Sequence, residues 1–84
     1  PVTVYPNPFE ASFRVFSAGK MTHPGQLELY SPEGRLIATR DYAARQVLNE
    51  EFVVGELPAG MYILRFLPGG NQSVPTVYRL LKMN

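Results

Sequence analysis

The chain has 84 residues, of which 45% are hydrophobic and 18% charged, with a net charge of +1. That balance excludes a disordered polar tail, and so small a charge gives no reason to expect nucleic acid or another polyanion as partner. There is no Cys, which excludes a disulfide framework and a thiolate metal site.

The length suits one domain spanning residues 1–84, able to bury roughly 60–65% of the surface its unfolded chain would expose. The 8 Pro and 7 Gly suit a chain of turns rather than helices. Residue 1 is Pro rather than Met, so the expectation is a domain excised from a larger protein. The most apolar stretch, Met61 to Leu67, is broken by Arg65 and is far too short to span a bilayer.

Pro1–Tyr5 reads as a short first strand. Pro6 and Pro8 remove two backbone donors and push Tyr5 and Asn7 toward extended geometry. The chain should therefore leave the sheet after Tyr5, with the Asn7 side chain bonding its own backbone in an Asx-turn. Ser12–Phe16 alternates, with Phe13 and Val15 inward. A break follows from Lys20 to Gly25. Gln26–Tyr30 alternates cleanly, with Leu27 and Leu29 inward. Ser31-Pro32-Glu33-Gly34 predicts a type I turn, with Gly34 supplying a left-handed residue. Leu36–Tyr42 is a weaker strand that turns polar at Thr39-Arg40-Asp41. Ala43–Asn49 reads as a loop, because its one helical turn would be short and uncapped. Glu51–Val54 is a short strand. After the Pro58–Gly60 break, where Gly60 is a backbone necessity, Gly60–Leu67 is the strongest strand. Tyr62, Leu64 and Phe66 share one face and Met61, Ile63 and Arg65 the other. Tyr62 should pack inward with its hydroxyl satisfied at the rim. Pro68–Pro75 is the last break, and Thr76–Lys82 closes the chain.

Seven short strands at this spacing predict an all-β fold, an immunoglobulin-like antiparallel β-sandwich. The expected core is Phe13, Val15, Leu27, Leu29, Phe52, Leu57, Tyr62, Leu64, Phe66 and part of Val77–Leu81.

Little in the sequence speaks for catalysis. His23 is the one histidine and sits in a loop, Met-Thr-His-Pro-Gly, so a solvated side chain accounts for it. With no Cys and no second His, zinc would need carboxylates alone to complete its shell. Ser12, Ser17, Ser31, Ser73 and Asp41 offer the residue types of a triad, but none lies in a G-x-S-x-G context. Glu50 and Glu51 are adjacent and would point to opposite faces of a strand. No D-x-D-x-D-G loop offers a calcium cage. Gly69-Gly70 lacks the Lys-Ser/Thr and helix of a phosphate loop. Arg14, Arg35, Arg40, Arg45, Arg65 and Arg79 are scattered. The reading is a binding or structural module, with no catalytic residue, no metal and no cofactor. Tyr30, Tyr42 and Tyr78 could be exposed aromatics, which keeps an adhesive or carbohydrate-binding module as an alternative.

Arg79-Leu80-Leu81-Lys82 places Leu80 and Leu81 on opposite faces. One of them should be partly exposed between two cations, as a partner-binding element or as an edge strand guarded by charge.

Val4-Tyr5-Pro6-Asn7-Pro8-Phe9 comes first, then Leu27-Glu28-Leu29-Tyr30 with Gly34-Arg35-Leu36-Ile37. Leu57-Pro58-Ala59-Gly60-Met61-Tyr62-Ile63-Leu64 follows, and Tyr78-Arg79-Leu80-Leu81-Lys82-Met83-Asn84 closes the set. In this order, and over essentially the whole chain, these pieces resemble the type A C-terminal sorting domain of type IX secretion system cargo proteins. Ser31 stands where that family often has Asp or Asn, and Arg79 where it usually has Lys. The resemblance implies a secretion signal that takes its cargo across the outer membrane. It implies folding in the periplasm and recognition by outer-membrane translocation and shuttle components. It also implies removal by a cell-surface sortase, with the cargo attached to the surface or released. It marks Tyr5, Pro6, Asn7, Pro8, Gly34, Gly60 and Tyr62 as structural motif residues. Arg79, Leu80, Leu81 and Lys82 become the partner-binding element. A retained docking domain of a surface component of the secretion apparatus is the other alternative. The short first strand further suggests a strand-exchanged or edge-to-edge homodimer.

Overall fold

Alternation of apolar and polar residues places one row of each strand in a shared core. The computed structural model describes residues 2–70 and 74–84 and contains seven strands. They are β1 (Val2–Tyr5), β2 (Ser12–Lys20), β3 (Gly25–Tyr30), β4 (Leu36–Tyr42), β5 (Val47–Val53), β6 (Gly60–Leu67) and β7 (Thr76–Lys82). One sheet has the order β1-β2-β5 and the other β4-β3-β6-β7, and every strand pairing is antiparallel. The expected all-β sandwich is what forms. Pro1, Ser73 and part of the Pro68–Pro75 break lie outside the described residues.

The core holds Phe13, Val15, Leu27, Leu29, Phe52, Tyr62, Leu64 and Phe66 as the periodicity predicts. Leu80 is the buried core member of the expected Val77–Leu81 part, the core also holds Phe9, Tyr42 and Leu48, and Leu57 only packs against its margin. Phe9, Phe13 and Phe52 run as a row of rings with neighbouring centroids 5.0 Å apart. Aromatic pairs at this separation add about 0.5–1.5 kcal/mol beyond the area they bury.

Two strand boundaries differ from the sequence reading by four residues, and the start of β3 at Gly25 and the end of β5 at Val53 differ by one. β2 runs on to Lys20, and β5 starts at Val47 within the stretch read as a loop. One serine links the two longer differences. Ser17 takes a core-facing position, where its hydroxyl donates to the Gly19 carbonyl at 2.6 Å and accepts the Leu48 N–H at 2.9 Å. A buried polar side chain satisfied in this way ties the two strands together, yet it interrupts the apolar alternation by which strands are recognised. Leu48 enters the core as a result.

The β3–β4 turn matches the prediction. The Gly34 N–H donates to the Ser31 carbonyl at 2.9 Å, the Arg35 N–H donates to Ser31 Oγ at 3.1 Å, and Gly34 has φ 88°. Any residue with a Cβ would be strained there.

Both edges of the four-stranded sheet carry a cation on the inward row. On β4 Arg40 lies opposite Leu27, with its guanidinium carbon 4.5 Å from the centre of the Phe52 ring. On β7 it is Lys82. Inward-pointing charge on an edge strand discourages another sheet from adding there.

Candidate functional site at the terminal strand

β7 lies at the edge of the four-stranded sheet, paired with β6 in the register Met61–Leu81, Tyr62–Leu80 and Ile63–Arg79. In an antiparallel pair, alternate residues direct their backbone groups to the neighbour and away from it. Leu81 donates outward, so the backbone groups of Val77, Arg79 and Leu81 face away from β6.

Most of that outer edge is already occupied. The Asn7 carboxamide donates to the Arg79 carbonyl at 2.8 Å and accepts the Leu81 N–H at 3.0 Å. The Phe9 N–H donates to the Leu81 carbonyl at 2.9 Å, and the Met83 N–H donates to the Phe9 carbonyl at 2.8 Å. Phe9 thereby forms a parallel bridge with Lys82 while its ring fills the core. The chain leaves β1 at Tyr5, as the prolines require, and both Tyr5-Pro6 and Asn7-Pro8 bonds are cis. This corrects the expected Asx-turn: Asn7 bonds the strand 72 residues away rather than its own backbone.

The four candidate partner-binding residues split into two pairs. Leu80 and Lys82 are each 1% exposed, while Leu81 is 37% exposed and Arg79 lies on the surface. The picture of an apolar residue between two displayed cations is therefore corrected for Lys82. Its stem follows the inward row, and Nζ donates to a main-chain oxygen of Asn84 at 2.9 Å, as a long side chain does when only its head reaches polar surroundings. Arg79 makes no ion pair among the described residues.

Tyr62 is buried, and its hydroxyl donates to the Pro58 carbonyl at 2.6 Å. Burial, with the charge of Glu33 adding to it, raises its pKa above 10.0. Gly60 has φ 155°, and a Cβ there would sit 3.0 Å from the Pro32 ring. Gly60 thus lets the β5–β6 connection close against the β3–β4 turn.

The other candidates form no joint site. Tyr42 is buried, the Tyr78 hydroxyl donates to the Val2 carbonyl at 3.3 Å, and Tyr30 donates to Glu28 at 2.9 Å. This corrects the idea of three exposed tyrosines, since they make no shared platform. His23 is exposed and within 3.0 Å of Thr22 Oγ1. No group of three or more His, Asp or Glu that could hold a metal occurs among the described residues, and no helix among them is long and apolar enough to cross a membrane. Sequence reasoning missed the roles of Asn7 and Phe9 as partners of β7. Their signal was an amide and a ring set between two prolines and the next strand, which no periodicity can pair with a strand at the far end of the chain.

A family model described as a secretion system C-terminal sorting domain matches residues 3–78. No curated protein matches the chain.

Proposed function

The chain belongs to the type IX secretion C-terminal sorting domains, and from that premise we propose that its terminal strand is the part of the signal read by the secretion apparatus. The family is one of sorting signals and not of enzymes, and its members direct export through the outer membrane to the cell surface or beyond. In our reading the domain folds in the periplasm as the tail of a larger cargo. Outer-membrane translocation and shuttle components then recognise it. A sortase that supplies its own nucleophile removes it, and the cargo is attached to the surface or released. The domain itself carries out no chemistry.

The observation that carries this reading is the clamp on β7. A terminal strand held by Asn7 and Phe9 presents Arg79 and Leu81 in fixed positions. Leu80 and Lys82 anchor the same strand from the inward row. Deleting Leu80–Asn84 from a cargo should trap it in the periplasm, and normal surface delivery of that truncation would refute the reading. Mass spectrometry of the delivered cargo separates removal from retention: removal predicts that the peptide containing Tyr78 is missing, whereas a retained docking domain keeps it.

The outer edge of β1 has no strand beside it among the described residues, which favours an edge-to-edge or strand-exchanged homodimer once the domain is free. Light scattering at high concentration should then give twice the monomer mass, and a monomer alone would exclude it.

A further inference from the structure

We propose that the secretion apparatus docks on the solvent face of the four-stranded sheet, through a protein surface that is apolar and carries a carboxylate placed to meet Arg79. This rests on the sorting reading above and names which surface of the domain is read.

The outer face of a sheet in a small antiparallel sandwich is ordinarily polar. Here one end of it is not. Tyr30 lies opposite Ile63, Ile63 opposite Arg79, and Met61 opposite Leu81, while Leu36 pairs with Tyr30 where the β3–β4 register shifts by one residue at Ile37. Residues in opposite positions on a face are about 4.5–5.5 Å apart, so the register makes a band across β3, β6 and β7, with Leu36 of β4 beside its Tyr30 end. Leu36 and Met61 are 48% and 45% exposed. Contiguous exposed apolar surface of this kind marks an interaction site, whereas isolated apolar residues do not.

The charges of this face define the partner. Bordering the band, Glu28 is engaged by Arg65 at 3.6 Å and by the Tyr30 hydroxyl at 2.9 Å. Asp41 accepts from Gln26 at 3.0 Å. Both carboxylates of the face are occupied, and Arg79, in the apolar band, has no ion pair among the described residues. A positive group set in apolar surface selects a partner that is apolar with one negative group, because a partner lacking it would leave the guanidinium desolvated and unpaired. Addition of a partner strand is disfavoured along most of β7, since Asn7 and Phe9 hold the outward groups from the Arg79 carbonyl to the Met83 N–H. The partner therefore meets side chains on the face.

The three-stranded sheet makes a useful contrast. On its outer face Arg14 lies between Glu51 at 3.6 Å and Asn49 at 2.7 Å. That pairing separates Tyr5 and Phe16 from Val53.

The test places this chain at the C-terminus of an exported reporter in a bacterium with a type IX system and measures the protease-accessible fraction on intact cells. The double variant Leu36→Lys/Met61→Lys should lower delivery at least about tenfold, the scale of losing a central contact. Its melting temperature should stay that of the parent, as expected for exposed positions. Arg79→Glu should lose delivery to a similar degree and Arg79→Lys should keep it. Val53→Lys on the other sheet should have no effect. Delivery of the double variant at the parental level overturns the proposal, as does equal loss with Val53→Lys. If the reporter without this chain is delivered as well as with it, the sorting reading falls and takes this proposal with it. That pattern differs from one in which the chain is needed and its face variants are not.

Discussion

Asn7 and Leu81 stand 74 positions apart in the chain, yet the Leu81 N–H donates to the Asn7 carboxamide at 3.0 Å. The same amide donates to the Arg79 carbonyl, so one side chain takes the place of a neighbouring strand. An exchanged pair of this kind contributes about 0.5–1.5 kcal/mol per hydrogen bond. Asn7→Ala should therefore lose about 1–3 kcal/mol and about 5–20 °C in Tm. Hydrogen exchange at the Leu81 amide should accelerate more than at Leu64 in the sheet centre. Unchanged Leu81 protection would show that the clamp does not hold the strand.

Lys82 gives a second prediction. Its stem is buried and only Nζ reaches a polar partner, so the packing of the stem should matter more than the charge. Replacing a buried charged group by an apolar one of similar volume is often neutral or stabilising. Lys82→Met should melt at or above the parental temperature, whereas Lys82→Ala should lose about 2–5 kcal/mol through the cavity it leaves. Equal losses for both would mean that the charge carries the stability.

Arg40 gives a third. Its Nη1 is buried with no hydrogen-bond partner among the described residues. An unmade bond to a buried donor costs about 1–3 kcal/mol, and the stacking on Phe52 returns about 0.5–2 kcal/mol. Arg40→Met keeps the apolar stem against the ring and removes the orphan donor. Its urea midpoint should equal or exceed the parental one, and a large fall would show that the guanidinium stabilises the edge. If the midpoint holds, the service of Arg40 on β4 is that of charged side chains on other edges: keeping a second sheet away.

Alkaline conditions give a fourth. Burial raises the pKa values of Tyr42 and Tyr78 above 10.0 and, together with Glu33, that of Tyr62. The folded state therefore binds more protons than the unfolded state above that value. This contribution is complete below about pH 10 and is lost as pH rises through the raised values. The urea midpoint should fall from pH 9 to pH 11, and Tyr62→Phe should reduce that fall. A flat midpoint over this range would contradict the burial of these hydroxyls.

The strands with strict alternation were legible from the sequence. Leu27 and Leu29 in β3, and Tyr62, Leu64 and Phe66 in β6, occupy the inward rows that their spacing assigns. The Ser31–Gly34 turn was legible because Pro32 and Gly34 impose backbone geometry that few alternatives share. What escaped was of two kinds. Ser17 and Arg40 are polar residues on inward rows, which a hydrophobic pattern counts as exposed. Asn7 and Phe9 act through long-range pairing, and nothing local encodes their partner. At the candidate site, the opposite facing of Leu80 and Leu81 was readable from period two alone. The burial of Lys82 was not, because it depends on a core wide enough to take a lysine stem.

The central claim is that this chain is a sorting signal for the type IX system. Its most direct test fuses residues 1–84 to an inert exported reporter and measures surface exposure in two strains, one with an intact type IX translocon and one without. The account predicts a protease-accessible reporter on the intact strain and a reporter trapped behind the outer membrane in the other. Equal exposure in both strains, or none in either, would contradict it.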